Sequence, residues 1–195
     1  SYTVYYKVAG DANHNDSEVG SVTVTIAPKV VDAPVIVLSQ TSFAYDGIAK
    51  EPTVTVKDGE SIIPESEYSI SYSSNVNVGE AIVTITDNEG GNYTVSGQTT
   101  FTITEGDVLI SIAPQPLTLT YSGEAQALVT AGEADNGEMQ YALAETGPFT
   151  NDVPSATDAG SYTVYYKVAG DANHNDSEVG SVIATIAPKV VDATT

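Results

Sequence analysis

The densest group of oxygen-bearing side chains is Asp171, Asn173, Asn175, Asp176 and Glu178, in the segment DANHNDSE. Closely spaced carboxylate and carboxamide oxygens are what a hard cation such as Ca²⁺ takes from a loop. The segment lacks the Gly at loop position six and the Glu at position twelve that an EF-hand requires. Asn and Asp are also ordinary turn residues, because they tolerate left-handed backbone and hydrogen-bond it locally. The segment stands a second time at Asp11 to Glu18. A tight turn is the expected role, with calcium binding as the alternative. His14 and His174, the only histidines, occupy the same position in the two copies. Acid–base or nucleophilic catalysis needs a nucleophile and an orienting carboxylate converging on the imidazole. Only ordinary loop Ser and Asp residues stand near, so no catalytic residue is assigned. The rings are expected to cover the end of a β-sandwich.

Other chemistry is narrowed by composition and parity. Cysteine is absent, which removes disulfides, thiolate metal sites and cysteine nucleophiles and leaves the redox compartment open. A Lys–Asn isopeptide bond would need a lysine in the apolar core, but Lys167 alternates with Val164, Tyr166 and Val168, and Lys57 with Val54 and Val56. Both therefore face solvent, and Lys50 precedes its strand. Twenty-six acidic residues against six lysines give a net charge of −20, which repels phosphate backbones and anionic headgroups. Nucleic acid is excluded as a partner, and no apolar run is long enough to cross a bilayer. No cofactor is expected beyond the calcium alternative. The 12 tyrosines fall mostly on strand faces, where cross-strand packing is favoured over ligand binding.

The elements that must position these residues are repetitive. Residues 1–33 return at 161–193, changed only where Thr23 and Val24 become Ile183 and Ala184. Near-identity of this kind marks an array, and the chain is expected to continue beyond both ends shown. A weaker repeat sets FAYDG, from Phe43, over LTYSG, from Leu119, and aligns Asn92-Tyr93 with Asn173-His174. Four divisions follow: 1–34, the C-terminal half of a module; 35–105, a first-type module; 106–189, a second-type module; and 190–195, the start of a further linker. The joints, APKVVDAP and TEGD, are short, and Pro28 and Pro34 stiffen the first.

Segments such as YTVYYKV, PTVTVK, YSISYS, AIVTIT and TFTIT alternate with period two and are rich in Val, Ile, Thr and Tyr, and no helical stripe appears. Short strands broken by frequent turns predict an all-β fold of tandem immunoglobulin-like β-sandwich modules. Asp158, Gly160, Tyr162 and Val164, in DAGSYTV, look like a tyrosine corner, with Val164 where such folds often carry a Cys. The first-type module carries Ala81 at the tyrosine position.

The stretch MQYALAETGPFTNDVPSATDAGSYTVYYKVAGDANHNDSE resembles the MBG-type bacterial Ig-like repeats of large surface proteins, and FAYDG with YSISYSSNVNVGEAIVTITDNEGGNYT resembles a sister class. The resemblance implies extracellular, multi-copy stalk or adhesin modules without a defined ligand. The expected function is a non-catalytic spacer at a cell surface whose partners are its neighbouring modules. The alternatives are an adhesive module for a glycan or host protein, and an assembly element that exchanges strands through residues 1–34, where two strands alone cannot bury an apolar face.

Overall fold

The computed structural model describes residues 1–191; residues 192–195 of the expected linker lie outside the described residues. Nineteen strands are formed among them. In the first half these are β1 (Tyr2–Tyr6), β2 (Gly20–Val24), β3 (Lys29–Val31), β4 (Val35–Leu38), β5 (Ser42–Ala44), β6 (Val54–Asp58), β7 (Ser61–Ile62), β8 (Tyr68–Ser73), β9 (Gly79–Asp87) and β10 (Tyr93–Val95). The second half holds β11 (Gly97–Thr104), β12 (Leu109–Ile112), β13 (Thr118–Thr120), β14 (Gln126–Ala127), β15 (Glu133–Asp135), β16 (Gly137–Ala142), β17 (Ser155–Ala156), β18 (Gly160–Gly170) and β19 (Gly180–Ala187). The one helical element described is a single 3₁₀ turn, Glu65–Glu67. The chain is all-β, its strands gathered into several small sheets.

Contacts divide the chain into two units interleaved in sequence. The first takes residues 1–39, 52–73 and 82–100, and the second takes 40–51, 74–81 and 101 onward.

In the second unit, β18 and β19 form a long antiparallel hairpin in which Tyr162 faces Ala184 and Val164 faces Val182. β16 pairs antiparallel with β18, and β13 runs parallel to β19, giving a four-stranded sheet in the order β13-β19-β18-β16. Two further antiparallel pairs, β12 with β15 and β14 with β17, complete the module. The period-two pattern of β18 sends Val164 and Val168 inward, both fully buried. Val164 joins Leu128, Val129, Tyr141, Ala184 and Ile186 in one core, with Tyr162, Tyr166, Leu119 and Met139 packed against it. Each such aliphatic side chain contributes about 1.5–3 kcal/mol on burial. The same parallel closure recurs where β5 runs beside β11, Phe43 opposite Ile103, with the Phe43 and Phe101 rings edge-to-face at 5.4 Å.

The first unit has its own core, made of Val31, Val54, Val56, Ile63, Tyr68, Val83, Ile85 and Val95. β4, β6 and β7 form one antiparallel sheet, and β8 pairs antiparallel with β9. Residues 29–31, which the expected division left in the tail of the half-module, instead form β3, paired in parallel with β10. The physical reason is Val31, whose side chain is taken into the core. The N-terminal hairpin of β1 and β2 keeps the register of β18 and β19, Tyr2 facing Val24, yet nearly all of its residues are exposed.

Candidate functional site

The two copies of the Asp/Asn-rich loop are the chemically richest places in the fold. In the second copy the chain leaves β18 at Gly170 and turns back over it so closely that a Cβ there would stand 2.1 Å from the His174 carbonyl oxygen. Asp171 Oδ1 accepts the Asn173 backbone N–H at 2.8 Å and pairs with His174 Nδ1 at 2.7 Å. Asp176 Oδ1 accepts the Gly170 N–H at 3.0 Å, while Oδ2 pairs with Lys167. Ser177 exchanges two bonds with Val168: its Oγ accepts the Val168 N–H at 2.8 Å, and its own N–H donates to the Val168 carbonyl at 2.9 Å. The Asn173 amide, followed by the His174 ring, lowers the pKa of Asp171. The Lys167 ammonium, followed by the Gly170 amide, does the same for Asp176.

The loop's outward face holds other segments of the same unit. Asn173 accepts twice: its Oδ1 takes the Val78 N–H at 3.0 Å, and its carbonyl takes the Gly106 N–H at 2.9 Å. Gly106 in turn accepts the Asn175 N–H at 2.9 Å, so the joint residue is held on both sides in a parallel bridge to His174. The His174 ring stands edge-on to Tyr45, centroids 5.1 Å apart and planes at 89°. A side chain at residue 106 would not fit, since its Cβ would lie 2.6 Å from the Tyr45 carbonyl. These bonds explain why segments 40–51 and 74–81 group with the C-terminal unit.

Of the five residues proposed as cation ligands, Asp171 and Asp176 turn their oxygens onto the loop's own amides and cations, and Asn173 turns its own onto Val78. Asn175 contributes its backbone amide to Gly106, and Glu178, exposed, contributes its carbonyl to the Ser177 hydroxyl. No group of three or more His, Asp or Glu side chains converges as a metal site among the described residues. The corner residues lie at the start of β18: Tyr162 Oη donates to the Asp158 carbonyl at 2.8 Å, Gly160 opens the strand opposite Ile186, and Val164 sits in the core.

One site residue escaped the sequence reading. Glu67 is only 8% exposed, and its carboxylate accepts the backbone N–H groups of Asn92 at 2.6 Å and Tyr93 at 3.2 Å and the Asn92 side-chain amide at 3.2 Å. The Asn92 side chain is the main cause of its lowered pKa. A separation of 25 residues between Glu67 and Asn92 leaves no local signal. The loop it braces is the first-type counterpart of residues 173–174: the Asn92 carbonyl accepts the Lys29 N–H at 2.8 Å, as the Asn173 carbonyl accepts that of Gly106.

The Asp11 copy repeats the inner bonds. Asp11 Oδ1 takes the Asn13 N–H at 2.8 Å and His14 Nδ1 at 2.7 Å, Asp16 takes the Gly10 N–H at 2.8 Å and pairs with Lys7 at 2.7 Å, and Ser17 takes the Val8 N–H at 2.9 Å. Its outward face is open: the His14 side chain is 77% exposed where that of His174 is 9%.

No family model matches this chain, and no curated protein matches it. Among solved structures it is similar to the crystal structure of human mucin-like protocadherin EC1-2, at 11% identity, covering 80% of this chain and 99% of that chain with a TM-score of 0.27. No helix among the described residues is long and apolar enough to cross a membrane.

Proposed function

We propose that this chain is a non-catalytic spacer segment of a long, repetitive, extracellular surface protein of the MBG-type Ig-like kind. The carrying observation is the clasp on Gly106, which receives a bond from Asn175 and gives one to Asn173. The other joint segment, Lys29–Val31, is likewise paired along its length with Tyr93–Val95. A Gly/Ser linker would leave its backbone to water and behave as a random coil. Each net hydrogen bond contributes about 0.5–1.5 kcal/mol, so two or three at each joint keep its backbone ordered against its own unit instead of free in water. A repeat stiffened at every joint projects whatever it carries away from the surface, and the acidic charge keeps neighbouring arrays apart.

Small-angle scattering with light-scattering mass, on chains of one, two and three 160-residue periods, tests this reading. A monomer whose radius of gyration rises in proportion to the number of periods supports the spacer. Growth as the square root of that number would overturn it. Mass that climbs with concentration would favour assembly through residues 1–34, and saturable glycan binding would favour an adhesin.

A further inference from the structure

We infer that each complete module is built to bear tension along the chain, through a clamp of parallel strands that joins its entry to its exit. In the second-type module the clamp is β13 on β19, with Thr118 opposite Thr185, Leu119 opposite Ile186 and Thr120 opposite Ala187. In the first-type module it is β5 on β11, with Ser42 opposite Thr102, Phe43 opposite Ile103 and Ala44 opposite Thr104. The direction of pairing decides how a pull is felt. A pull from the preceding residues draws β13 toward its amino-terminal end, and a pull from the following residues draws β19 toward its carboxy-terminal end. Because the two strands run the same way, these forces oppose each other along one axis and shear the strands past one another. The bonds of a parallel ladder are evenly spaced, so sliding strains all of them together. An antiparallel pair of end strands would instead be drawn apart from one end, and its bonds would break in succession.

Bonds at the ends of each ladder reinforce it. Tyr121 N–H donates to the Ala187 carbonyl at 2.8 Å. In the first-type clamp Thr102 N–H donates to the Thr41 carbonyl at 3.0 Å and Tyr45 N–H to the Thr104 carbonyl at 2.9 Å, and the Thr104 hydroxyl donates to the Phe43 carbonyl at 3.2 Å. Both clamps are also dry on one face. Ile103 and Ile186 are buried, Leu119 packs on the core around Val164, and Phe43 stands edge-on to Phe101. Water that could replace a strained bond therefore reaches the ladder from its outer face. The stretches ahead of the clamps are held separately, β4 on β6 and β12 on β15, so these can give way while the clamps stay closed. Load-bearing goes beyond the spacer reading, which asks for stiffness alone. A rod can stand without carrying tension, so scattering and force measurements fail or succeed independently.

The experiment is single-molecule force spectroscopy on the full chain, held at its two termini. Two unfolding events are expected, each releasing roughly 3.3–3.6 Å for every residue locked behind its clamp, from Ala44 to Thr102 in one and from Thr120 to Thr185 in the other. The comparison chain carries Ala159→Cys and Ala187→Cys, at exposed positions on the open end of the β18–β19 hairpin, kept reduced until the handles are attached. The sequence has no other cysteine, so the pull enters there alone and unzips the antiparallel ladder bond by bond. At one loading rate the terminal events should need about twofold more force or greater, because forced unfolding reads the unfolding barrier. Terminal forces equal to or below the unzipping force overturn the proposal. Tyr121→Pro removes the N–H held by Ala187 and should weaken one terminal event while leaving the other. Tyr162→Phe, which loses the bond to the Asp158 carbonyl outside the clamp, should lower the urea midpoint and neither force. Equal losses of force in these two variants, or unchanged forces in a folded Tyr121→Pro chain, place the barrier elsewhere and overturn the proposal. Where Tyr121→Pro does not fold, the comparison of handles decides.

Discussion

Asn173 concentrates three roles in one side chain and its peptide. Its N–H is fixed by Asp171, its carbonyl holds Gly106 and its Oδ1 holds Val78, 95 residues away. Asn173→Ala keeps the turn but leaves the partly buried Val78 amide without an acceptor, at a cost of about 1–2 kcal/mol in urea unfolding. Asn13→Ala, the same change in the same local sequence, has no such amide to orphan and should alter stability by less than about 0.3 kcal/mol. Equal effects at the two positions would mean that the clasp contributes nothing. The carboxylates of this loop add a pH signature. Asp171 and Asp176 have lowered pKa values in the folded state, so their stabilisation is complete above the unfolded value of 3.8 and is lost as pH falls through the folded values. Acidification also relieves the −20 self-repulsion, which acts in the opposite sense. Comparison with Asp171→Asn isolates the local effect: the variant should be less stable than wild type at pH 7, and the two urea midpoints should converge as pH falls from 3.8 through the lowered folded-state value. The sequence made these oxygens visible but could not say where they point, because the partners of Asn173 lie on segments distant along the chain.

At the scale of the element, the molecule contains its own control. β1 and β2 match β18 and β19 closely in sequence and register, but Val164, Val168, Ala184 and Ile186 are buried while Val4, Val8, Val24 and Ile26 are exposed. Strand formation was legible from alternation alone, since it needs only Val, Ile, Thr and Tyr at period two. Stability of the strand was not legible, because it depends on an opposing layer that the same sequence has at one place and lacks at the other. Amide hydrogen exchange separates the two cleanly, as intrinsic exchange rates nearly cancel between the copies. The amides of β1 and β2 should exchange at least about 100-fold faster than their counterparts in β18 and β19, reporting local opening rather than global unfolding. Equal protection would show that the hairpin finds a covering layer in solution, and would move the argument toward assembly. β3 and Glu67 mark the other limit of the sequence reading. A three-residue segment between two prolines carries no periodicity, and a buried carboxylate between Ser66 and Tyr68 announces nothing until Asn92 is folded onto it.

For the whole molecule, the decisive quantity is charge. Lys7, Lys29, Lys50 and Lys167 each pair with an aspartate, respectively Asp16, Asp58, Asp46 and Asp176, and the remaining acidic groups dominate the field. The Lys7–Asp16 pair is exposed on both sides, while the Lys50 and Lys167 side chains are largely covered; surface pairs are worth roughly 0–1 kcal/mol and weaken with salt, and diffuse repulsion among the carboxylates weakens as well. With 26 acidic residues against six lysines the repulsion outnumbers the pairs, so raising salt should stabilise the fold. A divalent cation acts in two separable ways: it screens, which any ion of its valence does, and it can be held in a site, which depends on its size and coordination. The Asp171, Asn173 and Asp176 side chains are turned to their own loop, to Lys167 or to Val78, so screening is the expected response. Calcium and magnesium at matched ionic strength should therefore raise the Tm by the same amount, to within about 1 °C, and EDTA should return it to the value set by sodium chloride alone. A rise with calcium several degrees above that with magnesium, saturating at a fixed stoichiometry, would require the loop to open and release Asp171 and Asp176 to the ion. Indifference to the choice of cation leaves the joints held by hydrogen bonds and ring contact, with no ion taking part.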